Sequence, residues 1–196
     1  MTVDLFADDD DGNTPLTAEE RDALIPSYIS LRHELNEVEQ IGITEAEQWA
    51  FSRSRDVLSE AFLKSLHHRM FGQVWRWAGQ FRVSARNIGI DHWLITTELR
   101  QLLNDVRYWV EHVTYPPDEI AVRFHHRLVF IHPFPNGNGR HARLAADLLI
   151  TRLGGARFTW GRTSLIEPGE ARRRYIDALR AADEHDIGPL LAFARS

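Results

Sequence analysis

Apolar positions recur at three- and four-residue spacing over most of the chain, and that period predicts helices. Thr17 followed by Ala-Glu-Glu has the form of a helix N-cap with acids in the first turn, and Pro26 ends that short helix or starts the next. From Ser27 to about Gln40, the spacing of Tyr28, Leu31, Leu35 and Val38 predicts an amphipathic helix, and a second begins near Thr44. A third covers about Ser54 to Phe71, with Val57, Ala61, Phe62, Leu66 and Met70 on one side. Further helices are predicted over about Thr97–His112, from Pro117 to about Ile131, from Gly139 to the Gly154-Gly155 pair, and over about Pro168–Phe193. The period is lost in WRWAGQFRVSARNIGIDHWLI, which contains two glycines and alternating stretches such as Phe81-Arg82-Val83. That segment reads as extended, a β-hairpin or flap. The predicted fold class is mainly α with one small β insertion.

Composition divides the chain. Residues 1–15, with DDDDGNTP, predict a flexible acidic arm. A helical extension is expected over residues 16–53, ahead of a main domain over residues 54–196. The 196 residues suit one domain, and 43% hydrophobic with 26% charged residues is a globular balance. A net charge of −5 gives no field for non-specific nucleic-acid binding, so no direct nucleic-acid partner is expected. No apolar run approaches the ~20 residues of a membrane helix, so no membrane partner is expected either. The acidic start MTVDLFADDDD is unlike a signal peptide, which makes the cytoplasm the expected compartment. The absence of cysteine excludes disulfides and thiolate chemistry. Lys64 is the only lysine, which excludes a P-loop.

The stretch that concentrates chemistry is HPFPNGNGRHAR, residues 132–143. Pro133 disfavours α geometry at the preceding residue, so His132 sits where a helix stops. Asn136-Gly137-Asn138-Gly139 precedes the next helix. Glycines let successive backbone N–H groups turn to one concave side, an anion nest, and the helix N-terminus adds its positive dipole end. Arg140 and Arg143 follow at helical spacing on roughly one face, and each guanidinium fork can clamp phosphate oxygens. The set suits a diphosphate or triphosphate. His132, on its rim, titrates near neutrality and can take a proton from a hydroxyl attacking phosphorus. The plainer alternative is an ordinary turn, with Arg143 paired to Asp147 one helical turn on.

These residues resemble the signature of the Fic family, H-x-F-x-[D/E]-G-N-G-R-x-x-R. MFGQVWRWAGQFR resembles that family's W-A-G-x-[YF]-R stretch before its flap, HRLVFIHPF its approach to the motif, and YIDALRAADEHDIGPLLAF its C-terminal helices. The resemblance covers roughly residues 55–195. The whole chain, including LIPSYISLRHELNEVEQ, resembles the subgroup named mobile mystery protein B.

The resemblance implies a Fic-type helical bundle with a small β-hairpin flap. It implies transfer of AMP from ATP to a Ser, Thr or Tyr hydroxyl of a target protein. His132 would be the general base and Phe134 would pack the loop. Gly137, Asn138 and Gly139 would supply the nest, with Asn138 also orienting phosphate. Arg140 would hold the β-phosphate and Arg143 the γ-phosphate. Asn136 stands where the family has Asp or Glu as the Mg²⁺ ligand; an amide oxygen brings no charge, so weak metal binding is expected. The flap, Arg82, Val83, Ser84, Ala85, Arg86, Asn87 and Ile88 onward to about Ile95, would dock a stretch of target by strand addition. Many Fic proteins carry an inhibitory [S/T]-x-x-x-E-[G/N]. Ser30 and Glu34 fit five of its six positions, so Glu34 is expected to pair with Arg143, an antitoxin partner being the alternative brake. Such proteins act in the bacterial cytoplasm or are injected as effectors. Two rival readings are a degenerate Fic domain that only binds nucleotide or a partner, and transfer of another phosphate-containing group. His67-His68 and His125-His126 lack the i, i+4 spacing of a zinc helix; one of each pair is expected buried and one exposed. Trp160 is a candidate for stacking on adenine.

Overall fold

The computed structural model describes residues 17–29, 31–162 and 168–196. The acidic arm expected over residues 1–15 and the inhibitory candidate Ser30 lie outside them. The helices are α1 (Ala18–Arg21), α2 (Arg32–Phe51), α3 (Glu60–Phe71), α4 (Ile95–Glu111), α5 (Pro117–Ile131), α6 (Asn138–Arg152), α7 (Pro168–Asp183) and α8 (Gly188–Arg195). The mainly helical class is therefore as expected, and the helices pack around a central pair, α5 and α6.

Local chemistry sets the ends. Thr17 and Glu20 cap α1 reciprocally, each side chain accepting the other's backbone N–H. Pro117 opens α5 in its first turn. The Gly154-Gly155 pair closes α6, with Gly154 left-handed and the Gly155 N–H returning to the Ile150 carbonyl. Helix α5 buries Ala121, Val122, Phe124, Leu128 and Ile131 and packs closely on α6, which buries Ala142, Ala145 and Ala146. Helix α4 covers α5 with the stripe Ile95, Leu99, Leu102, Leu103 and Val106. Helices α3 and α2 lie on the α6 side.

Two expectations change. The helices predicted on either side of Thr44 are one, the 20-residue α2. Gly42 is no breaker here. A Cβ at Gly42 would lie 2.5 Å from the Met70 carbonyl oxygen, so the glycine is what lets α2 rest on the backbone of α3. The second change concerns the hairpin predicted over residues 82–95. Residues 82–91 run as an irregular loop, followed by a 3-10 turn, His92–Leu94. Among the described residues the only β pairing is an isolated antiparallel bridge between Leu24 and Trp75. It fastens the segment after α1 onto the W-A-G turn, helped by Trp77 Nε1 donating to the Glu20 carbonyl.

As expected, each histidine pair has one ring in the core. His67 and His125 are fully buried, whereas His68 is exposed and His126 half-buried. With His132 and His141 they make four buried imidazoles. Burial is the main cause that pushes each below the ordinary 6.5, His125 to about 3 and His132 and His141 to about 4. The folded chain then refuses protons that the unfolded chain binds. Stability should be full above about pH 6.5. It should fall as pH drops from there toward 4, by about 1.4 kcal/mol per pH unit for each such proton. Denaturant midpoints at pH 7.5 and pH 5.0 measure this; equal midpoints would contradict it.

Candidate active site

The site forms where α5 stops. His132 has φ 53 and ψ 59, a left-handed residue that ends α5, where Pro133 disfavours a further right-handed turn. Its carbonyl accepts from Arg82 Nε at 2.6 Å, and the Arg82 backbone N–H donates to the Pro133 carbonyl at 2.9 Å. The same guanidinium donates to the carbonyls of Ser84 at 2.9 Å, Ile131 at 3.4 Å and Ile90. One buried side chain thus ties the 82–90 loop to the end of α5 and takes the place of a strand ladder, the physical reason no hairpin forms.

The loop lies directly on the histidine. Gly89 has φ +92, and a Cβ there would be 2.5 Å from the Cβ of His132. His132 is only 6% exposed. Burial, then the positive charge of Arg82, lowers its pKa to about 4, so the ring is a neutral acceptor at pH 7. Arg86 turns inward to an ion pair with Glu20 of α1 and donates to Ser84 Oγ at 2.8 Å. Val83, Ala85, Asn87 and Ile88 face outward, Val83 being 84% exposed.

The turn between α5 and α6 is held from several sides. Phe134 is fully buried, stacked on His67 at 3.7 Å between centroids. The Asn138 side chain clasps the backbone of Phe134, accepting its N–H at 2.9 Å and donating to its carbonyl at 2.8 Å. Its amide is therefore spent on the loop rather than pointed at a phosphate, and what it offers the nest is its backbone N–H. Gly137 has φ +78, and a Cβ there would meet the Phe71 ring at 2.6 Å, so only glycine fits on both counts. The Gly137 N–H donates to Asn136 Oδ1 at 2.6 Å, and α6 begins at Asn138.

The two arginines have different neighbours. Arg140 Nη1 donates to Glu39 Oε2 at 2.7 Å and its guanidinium lies over Phe71. Glu39 is 6% exposed and also accepts from Trp75 Nε1 at 2.8 Å. Arg143 is half-buried over the ring of Tyr175, at 5.3 Å, and among the described residues no carboxylate lies within ion-pair distance of it. Glu34 accepts the N–H of Leu31 in the first turn of α2, and Glu39, further along α2, is the carboxylate paired with Arg140. The Tyr175 hydroxyl is 3.1 Å from His125 Nε2, beside Gly139. Trp160 belongs to the core: it packs on His125 and donates to Asp147.

Glu39 and Tyr175 are the residues that sequence reasoning did not reach; Arg82, expected to meet a target on the flap, is instead buried beneath it on backbone carbonyls, and for His67 only the burial was expected. For Glu39 a signal existed. Leu35, Glu39, Gly42, Ala46 and Ala50 make one buried stripe on α2, and a carboxylate within such a stripe needs a buried partner. As a magnesium site the residues fit poorly. Asn136 brings no charge and its oxygen faces Gly137, and among the described residues no group of three or more His, Asp or Glu converges.

A helix end carrying a neutral imidazole, followed by an amide-lined turn and two arginines, is an arrangement able to take up phosphate. Residues 57–150 match the family model described as Fic/DOC family, and the chain contains a Fic/DOC family domain. A protein adenylyltransferase Fic of Aedes aegypti is 30% identical over 142 residues, covering 70% of this chain and 27% of that protein. The chain thus spans about a quarter of the length of that curated relative. The structure of residues 134–508 of Fic-1 from Caenorhabditis elegans superposes with a TM-score of 0.65 at 26% identity, covering 89% of this chain and 51% of that one. The Bartonella tribocorum BepC protein, solved with bound AMPPNP, gives a TM-score of 0.69 over 91% of this chain and 97% of that one; at 18% identity it speaks for the fold alone. No helix among the described residues is long and apolar enough to cross a membrane.

Proposed function

We propose that the chain is a protein adenylyltransferase that moves AMP from ATP to a Ser, Thr or Tyr hydroxyl of a target protein. The observation that carries this reading is the placement of neutral His132 directly before the amide turn and the arginines of α6. In the reaction His132 accepts the hydroxyl proton and the hydroxyl oxygen bonds to the α-phosphorus. The bond from that phosphorus to the bridging oxygen breaks, and pyrophosphate leaves. The backbone N–H groups at the start of α6 stabilise charge on the phosphate oxygens, with Arg140 on the β- and Arg143 on the γ-phosphate.

Two covers act on this machinery. The 82–90 loop must lift before a target hydroxyl reaches His132, and the outward Val83, Ala85, Asn87 and Ile88 are the residues a target meets first. Glu39 must release Arg140 before that arginine meets phosphate. We therefore assign the brake first proposed for Glu34 to Glu39, supported by the 2.7 Å pair. An antitoxin partner is the alternative brake.

ATP labelled on the α-phosphate, and separately on the γ-phosphate, tests the reading. Label retained on protein from the α-position alone supports it; from the γ-position it would indicate phosphoryl transfer. Nucleotide binding with neither would leave a binding module, the reading favoured by the engaged oxygen of Asn136.

Asn136→Asp should add the missing charge at the metal position. The expected result is activation at lower Mg²⁺ concentration, by about tenfold. A Mg²⁺ titration of nucleotide binding and of transfer measures it, and an unshifted titration counts against metal being limiting.

A further inference from the structure

His67 lies on α3, fully buried, and its ring bridges two loops. Its Nδ1 is 2.9 Å from the backbone nitrogen of Gly79. A backbone N–H only donates, so Nδ1 is the unprotonated nitrogen and the ring proton is on Nε2. Nε2 is 3.0 Å from the carbonyl oxygen of Asn136 and donates to it. Burial keeps the ring neutral, as this tautomer requires. Stacking on Phe134 fixes the plane of the imidazole.

The carbonyl of Asn136 and the N–H of Gly137 belong to one peptide unit. In a planar trans peptide they point in opposite directions. By holding the carbonyl toward α3, His67 turns the Gly137 N–H away from α3, to the side where Asn136 Oδ1 receives it at 2.6 Å. That amide oxygen occupies the place an anion's oxygen would take. A peptide polarised at its carbonyl is also a better donor at its nitrogen. The other end of the bridge, Gly79, is the turn from which Phe81 and Arg82 lead into the loop over His132.

We infer that His67 is a positioning residue for anion binding: with its tautomer set by Gly79, it orients the Gly137 N–H as the first donor of the phosphate cradle. The inference rests on the nucleotide-cradle reading above. It is read with inorganic pyrophosphate, so it stays measurable if AMP transfer is not found.

His67→Gln puts an amide donor near the Nε2 position, whereas His67→Asn places its amide near Nδ1 and loses the bond to Asn136. Calorimetric titration with pyrophosphate should find the glutamine variant within about threefold of the unmodified chain and the asparagine variant weakened about tenfold, the size of one neutral hydrogen bond. Equal affinity of the asparagine variant and the unmodified chain would overturn the inference. A second measurement needs no variant. The Nε2 proton resonance of His67 should shift when pyrophosphate is added, because ligand and imidazole hold opposite ends of one peptide unit. A resonance that stays in place while pyrophosphate binds overturns it as well. If pyrophosphate binds with this dependence on His67 and no AMP is transferred, only the transfer reading fails.

Discussion

His132→Ala is expected to lower AMP transfer by about 10²–10⁴-fold, the usual contribution of a positioned base, while nucleotide binding persists. The cradle explains the split. The turn is held by Asn138 on Phe134, by His67 on Asn136 and by Arg82 on backbone carbonyls, and the imidazole of His132 supports none of these bonds. Removing the ring should leave the phosphate site in place and remove the proton acceptor. Titration with ATP and the rate of α-label incorporation measure the two effects. Loss of both together would mean the ring is structural. The pH dependence gives a second check. With the loop closed, burial and Arg82 hold the pKa at about 4. The acid limb of kcat/KM, which reports the free enzyme, should then lie well below the ordinary 6.5. A limb at 6.5 would mean that the loop is already lifted in the free enzyme.

Glu39→Gln is expected to raise nucleotide affinity and transfer by about tenfold or more, within the usual range of coupling between two sites. The glutamine oxygen can still accept from Trp75 Nε1, so the packing of α2 on the W-A-G turn survives. What disappears is the charge that competes with phosphate for Arg140. That arginine is a third exposed and can be solvated when its partner becomes neutral. Automodification with labelled ATP measures the gain, with Glu34→Gly beside it. Activation by Glu34→Gly alone would return the brake to the first turn of α2.

Much of this was legible in the chain before folding. The periodic segments are helices because their apolar stripes have a core to face, and Pro117, Pro133 and the Gly154-Gly155 pair mark ends by backbone restrictions that need no partner. Gly137 was readable for the same reason. The flap segment carries no strand pairing because extended, glycine-containing chain need not pair with itself. Here Arg82 takes up two carbonyls of the loop, Ser84 and Ile90, and ties the loop to the end of α5 through His132. The apolar spacing suggests a break between Gln40 and Thr44 because local pattern does not register a neighbouring helix, the α3 backbone on which Gly42 rests. Glu39 and Tyr175 act through residues about 100 and 50 positions away, Arg140 and His125, and local spacing does not reveal such partners.

The seat of Gly42 on the Met70 carbonyl has a mechanical consequence. Two helices that touch main chain to main chain cannot roll or slip past each other without a collision. Glu39 stands three residues before that seat, so its carboxylate is mounted on a fixed bracket. Release of Arg140 is then a matter of swinging one side chain, or of a rival cation capturing it. A regulator of this protein would pick the lock at that carboxylate, not drag the helix aside.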